Sequence, residues 1–185
     1  MANIGLKNYM YGVLDESGAT PKWGEGKTFG KAIDCKVSAD VNSAELYADD
    51  GLAESDYSFK KATITIGVDD DDTAFAEVLG HTKSGDGGEI IYKDTDVAPY
   101  VGFGRIITKV KGGVYKYKVE FLCKVKFKEP ATEETTKGEA IEFKTPSIEG
   151  TAMLLADGTW RKAKTFDTYD AAKTYLTGLF TAQQG

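Results

Sequence analysis

The stretch Val114-Tyr115-Lys116-Tyr117-Lys118-Val119-Glu120-Phe121-Leu122-Cys123-Lys124-Val125-Lys126-Phe127-Lys128 sets Tyr115, Tyr117, Val119, Phe121, Cys123, Val125 and Phe127 on one phase and mostly lysine on the other. Side chains alternate across a strand with a period of two, so the pattern predicts one long half-buried β-strand whose apolar face closes the core. At about 3.3 Å per residue it spans roughly 50 Å, whereas ordinary strands stop near five or six residues. That length points to a sheet larger than one compact subunit requires.

Working outward, Gly112-Gly113 predicts a tight hairpin turn into a preceding strand at Tyr100–Val110, where Gly102 and Gly104 bracket Phe103 and imply a bulge or a close backbone approach. Ile33, Cys35, Val37, Ala39 and Val41 alternate with polar residues, as do Ala62, Ile64, Ile66 and Val68, and each set predicts a further strand. Between them lies an acidic segment, Asn42 to Tyr57, with Asp50-Gly51 as its turn signal. It reads as a hairpin or a long mobile loop. Asp69 to Asp72 precede a short helix at Thr73–Leu79 closed by Gly80, and carboxylates at a helix start are sufficiently explained by its free amides and dipole.

The first thirty residues, rich in glycine, read as a strand at Tyr9–Leu14 and a long connector. Glu89–Tyr92 is a short strand, Glu129–Gly138 a polar loop, and Ala140–Lys144 and Ile148–Ala156 are strands. Asp157-Gly158 predicts a hairpin pairing the latter with Thr159–Phe166. Asp167 or Thr168 then caps a helix in which Tyr169, Ala172, Leu176, Leu179 and Phe180 recur at helical spacing. The fold class is mainly β, an antiparallel sandwich or barrel with one short central helix and a C-terminal helix.

With 185 residues the chain is expected to form one domain, 1–185, burying on the order of 70% of its unfolded surface. No apolar run approaches the length of a membrane helix, and the N-terminus has no secretory pattern, so synthesis in a cytoplasm is expected. Cys35 and Cys123 sit on apolar phases and read as buried hydrophobes, with a disulfide as the second reading. With one histidine, His81, and no paired-cysteine motif, zinc has too few ligands. The aspartate cluster lacks calcium-loop spacing. No phosphate loop or nucleophile elbow appears, and neither catalysis nor a cofactor nor a metal is expected.

The net charge of -6 is unevenly distributed. From Val37 through Phe59 there are six acids, Asp40, Glu45, Asp49, Asp50, Glu54 and Asp56, and no lysine or arginine. From Arg105 through Lys128 there are eight basic residues and one acid, Glu120. The lysine face of Lys116, Lys118, Lys124, Lys126 and Lys128 could track a phosphate backbone, but its aromatics lie on the opposite phase, where they cannot stack beside the cations. Two solvated faces would account for the separation; charge complementarity between copies of the same chain is the sharper reading.

Leu46-Tyr47-Ala48-Asp49-Asp50, Thr63-Ile64-Thr65-Ile66-Gly67-Val68-Asp69-Asp70, Tyr100-Val101-Gly102-Phe103-Gly104 and the long strand after Gly113 resemble, in order and spacing, the major tail proteins of long-tailed siphophages of Gram-positive hosts. The resemblance covers roughly residues 3 to 180. It implies a non-enzymatic virion protein, made in the host cytoplasm, that self-assembles into hexameric rings stacked as a tail tube. The tube would surround a tape-measure protein, be closed by a tail-terminator protein and pass DNA without binding it specifically; no membrane is involved. The implied fold is the sandwich or barrel shared with type VI secretion tubes, with an N-terminal arm at about 1–30 and an inter-ring loop at about 42–57. Glu45, Leu46, Tyr47, Asp49, Asp50, Glu54 and Asp56 are then the inter-ring candidates, and the five lysines are candidates for a neighbouring subunit or the outside. No immunoglobulin-like domain follows residue 180, so surface decoration is not expected. The alternative is a non-catalytic binding module of the carbohydrate or adhesin type, for which Trp23 and Trp160 are the only indoles.

Overall fold

The computed structural model describes residues 1–48, 51–69, 72–84, 88–131 and 145–181, with the side chains of all of these except 44–48, 51–56, 72 and 181. The strand read first forms as expected, over Val114–Lys128 (β9), and is joined to Val101–Lys111 (β8) by Gly112-Gly113. Lys111 pairs with Val114 across that two-residue turn, and both glycines have positive φ, 59° and 78°. Such a turn follows the right-handed twist of the strands it joins, and two successive left-handed residues favour glycine.

The remaining strands are Ala2–Asp15 (β1), Lys22–Trp23 (β2), Lys27–Thr28 (β3), Ala32–Ala48 (β4), Gly51–Val68 (β5), Thr82–Ser84 (β6), Glu89–Ile91 (β7), Ser147–Ala152 (β10) and Arg161–Phe166 (β11). Two helices, Asp72–Leu79 (α1) and Tyr169–Thr181 (α2), complete the elements among the described residues. One antiparallel sheet runs in the order β2-β1-β8-β9-β10-β5-β4, with β3 on β1 and β11 on β9. It folds over into a β-sandwich: Tyr9 of β1 donates its hydroxyl to the Asp34 carbonyl of β4 at 2.6 Å, and Arg105 of β8 donates to Cys35 Sγ of β4.

Two cores result. One, between the sheet halves and under α1, contains Tyr9, Tyr11, Phe29, Phe103, Leu122, Val125, Phe127, Ile64, Ile66 and Ile148. The other, between β8, β9 and α2, contains Trp23, Ile106, Val119, Phe121, Cys123, Ala172, Leu176 and Phe180. The C-terminal helix therefore buries the residues its spacing predicts, and Thr168 is its cap, Oγ1 accepting from the Ala171 N–H at 3.3 Å.

The long strand serves both cores because its regular alternation is interrupted in three dimensions. Val101 pairs with Val125 and Phe103 with Leu122, so β9 carries one extra residue opposite β8, a β-bulge at Cys123 and Lys124. Val119, Phe121 and Cys123 face α2, whereas Leu122, Val125 and Phe127 face the opposite core. The expectation of one apolar face from Tyr115 to Phe127 is thus corrected, and Tyr115 itself is 53% exposed.

Three further expectations change. The segment 1–30 is no arm: β1 pairs with β8 from Ala2↔Val110 to Val13↔Val101, and Tyr9, Tyr11, Trp23 and Phe29 are buried. These large aromatics contribute core area that outweighs the freedom of the surrounding glycines. Of the two readings of segment 42–57, hairpin or long loop, residues 42–48 and 51–57 take the hairpin, as the distal part of β4–β5 with register continuing to Ala48↔Gly51, so the inter-ring loop candidate is a ribbon there. Asp157-Gly158 turns, with Gly158 at φ 81° and the Asp157 carboxylate accepting from the Thr159 N–H at 2.8 Å, yet β10 and β11 do not pair with each other. Both lie end to end along β9, on 125–128 and 117–122, because β9 has enough free edge for each. The strand expected at Ala140–Lys144 lies outside the described residues.

Candidate assembly interface

β10 pairs with β5 only from Gly67 to Ala62. Beyond Ala62, β5 has β4 as its only strand partner among the described residues, so the hairpin continues as a two-stranded ribbon. Its β4 arm, 40–48, reaches roughly 30 Å at about 3.3 Å per residue. The side of the ribbon that continues the core face carries apolar residues with little to cover them: Val41, opposite Phe59, is 51% exposed, and Tyr57 is 61% exposed. Phe59 marks where cover ends, stacked on Trp160 at 4.6 Å between ring centroids. An isolated two-stranded hairpin is marginally stable in water, so a ribbon of this kind gains from a partner.

Of the inter-ring candidates, Glu45, Leu46 and Tyr47 lie on β4 and Glu54 and Asp56 on β5, with Ser55↔Glu45, Glu54↔Leu46 and Leu52↔Tyr47 as cross-strand pairs. Asp49 and Asp50 lie outside the described residues. Two register shifts, at Asp40/Val41 and Leu46/Tyr47, each leave one extra residue on β5.

The five candidate lysines do not form one stripe. The bulge leaves Lys116 and Lys118 on the face of Leu122 and turns Lys124 and Lys126 to the other face, where both approach the Tyr100 ring, at 4.6 and 5.2 Å. Lys116 pairs with Asp167 at 2.8 Å, Lys118 with Glu120, Lys124 with Glu16 at 2.5 Å and Lys128 with Glu149 at 2.6 Å. Periodicity cannot reveal these partners, since most come from distant segments, nor a bulge that preserves the written alternation. Reach toward phosphate is correspondingly reduced, because each cation already has an acceptor or a ring.

Sequence reasoning missed an exposed apolar end of the sheet, where Met1, Ile4, Val114 and Tyr115 gather around the β1, β8 and β9 termini. The exposed stretch of β1 here has β8 on one side only, and β4 has β5 on one side only, among the described residues. Unpaired edges are templates for adding another chain. The signal for the apolar end was present in Val114-Tyr115, the first residues of the alternation.

The thiols are free and withdrawn from chemistry. Burial pushes the Cys35 thiol up to about 11 against the opposing pull of Arg105, and burial pushes Cys123 up to about 11 as well. Among the described residues no group of three or more His, Cys, Asp or Glu is placed to hold a metal ion. Among the described residues no helix is long and apolar enough to cross a membrane. Asp69 accepts from the Lys31 N–H at 2.6 Å, which holds its carboxyl below the usual range; Asp70 and Asp71 lie outside the described residues. Comparison of the chain with known protein families and with curated proteins finds no match.

Proposed function

We propose that this chain is a self-assembling structural subunit, the major tail-tube protein of a siphophage, forming stacked hexameric rings without catalysis. The observation that carries the reading is the acidic β4–β5 ribbon, which leaves the sandwich with exposed Val41 and Tyr57 and without a third strand among the described residues. Within one chain it is a liability; against a neighbouring ring its backbone edges, apolar face and carboxylates all acquire partners. The stretches of β1 and β4 that have a strand on one side only among the described residues support the same reading for contacts around a ring. The tape-measure protein, the tail terminator and transient passage of DNA belong to this proposal, as does a virion location.

The binding-module alternative has weaker support. Trp23 is buried, its Nε1–H donating to the Cys123 carbonyl at 2.8 Å, and Trp160 is engaged by Phe59 and, at 4.6 Å, by Arg161. Neither indole is presented as a bare platform for a sugar ring.

Negative-stain electron microscopy of purified protein over a concentration series tests the proposal. Rings or tubes are expected at high concentration. A monodisperse monomer throughout would overturn it.

A further inference from the structure

We propose that His81 is a proton-operated clasp, which holds the exit of β9 to the exit of α1 while its imidazole carries two protons and lets it go when one is lost. His81 follows Gly80, which ends α1 at φ 80°, and its backbone N–H donates to the Ala76 carbonyl at 2.8 Å. The side chain is 8% exposed and lies between two carboxylates: Nδ1 is 2.8 Å from Asp96 Oδ2, and Nε2 is 3.0 Å from Glu129 Oε2. Tyr92 packs on the ring at 4.4 Å between centroids.

Ionised carboxylates only accept hydrogen bonds, and a neutral imidazole has a single N–H. In the neutral form one of the two carboxylates therefore meets a ring lone pair. Only the imidazolium donates to both. Burial alone would push the His81 pKa down, but the bonds to Asp96 and Glu129 outweigh it and raise the pKa above the ordinary value.

The two partners are not equivalent. Asp96 is 10% exposed and also accepts the Lys93 N–H at 2.9 Å, so its position is fixed twice. Glu129 is 58% exposed and directly follows β9. Loss of the proton keeps Nδ1–H on Asp96 and frees Glu129. The surrounding cations do not take over: Lys93 acts on Asp96, Lys83 of β6 acts on Glu77 of α1, and Lys128 of β9 pairs with Glu149 at 2.6 Å. Because the folded pKa is raised, the stabilisation is complete below the unfolded value of about 6.5 and is lost as pH rises through the folded value.

His81 is the only histidine in the chain, so its imidazole signals in an NMR pH titration of the dilute full-length protein need no assignment by mutation. The midpoint is expected above the ordinary histidine value and should shift down toward it in E129Q, a change at an exposed position that leaves the fold intact. The Glu129 amide signal should follow the same midpoint in the wild type and lose that step in H81Q. A midpoint at or below the ordinary value, or one that E129Q leaves in place, would overturn the clasp.

Discussion

Arg105 and Glu120 face each other across β8 and β9 as a buried ion pair, Nη2 to Oε2 at 2.7 Å. Arg105 also donates to Cys35 across the sandwich, and Lys118 reaches the second oxygen of Glu120. Glu120 thus occupies the place where the alternation of lysines breaks. Replacing it by alanine leaves a buried guanidinium without its counter-ion and is expected to cost about 3–5 kcal/mol, read from urea unfolding midpoints. Replacing both residues by apolar side chains of similar volume should cost less.

The same pair gives a pH dependence. Burial pushes the Glu120 carboxyl up, but Lys118 and Arg105 together hold it below the usual range. Its contribution is present above the unfolded value of roughly 4.3 and is lost as pH falls through the lower folded value. Wild-type stability should fall more steeply on acidification than that of E120Q. Equal acid slopes in the two proteins would argue against this pairing.

The bulge in β9 predicts opposite sensitivities for two polar-phase positions on either side of it. Leu122 is buried against Phe103 in the core under α1, so L122A should cost about 2–5 kcal/mol. K126A should stay within about 0.5 kcal/mol. Thermal or urea unfolding of the two variants separates a bulged strand from a regular one.

Gly102 is a close-approach position. A Cβ there would meet the indole of Trp23 and lie 2.6 Å from Phe121 Cζ, and neither ring can withdraw from its packed site. G102A is expected to destabilise by about 1–3 kcal/mol, with the loss visible as a shifted tryptophan fluorescence transition.

For the proposed assembly, stability and function should separate on the ribbon. Tyr57→Ser and Val41→Ser act on exposed residues, and each should change stability by only about 0.5 kcal/mol while impairing tube growth in sedimentation and microscopy. Charge reversal of Asp49 and Asp50 to lysine should do the same. Normal tubes from these variants would remove the ribbon from the interface.

How far the residues announced this arrangement varies with the distance over which each feature is determined. β9, its glycine turn, both helices and the proximal parts of β4 and β5 follow from local periodicity and local turn chemistry and are legible, whereas the distal parts of β4 and β5 are legible only as hairpin or loop. The glycines beside Phe103 announced a bulge or a close approach, and Gly102 is a close approach, with Trp23 and Phe121 where a Cβ would be, beside the register shift at Val101/Phe103. What was not legible depends on the partner: the bulge at Cys123 and Lys124 is forced by the β8 register, and β10 and β11 share one edge of β9 instead of pairing. The lysines illustrate the same limit, because Glu16, Glu149 and Asp167 are far from them in the chain. The aromatics of residues 1–30 carried a signal for burial, but glycine content drew the reading toward a connector.

The position of α2 carries a consequence for synthesis. Val119, Phe121 and Cys123 have their outer cover in Ala172, Leu176 and Phe180, the last described turns of the chain. On a ribosome, the first core can close once β10 has emerged, but the second stays open until Tyr169–Thr181 follows, with an apolar strip of β9 facing solvent. A chain interrupted before Tyr169 would leave that strip of Val119, Phe121 and Cys123 without its cover, an apolar surface open to aggregation.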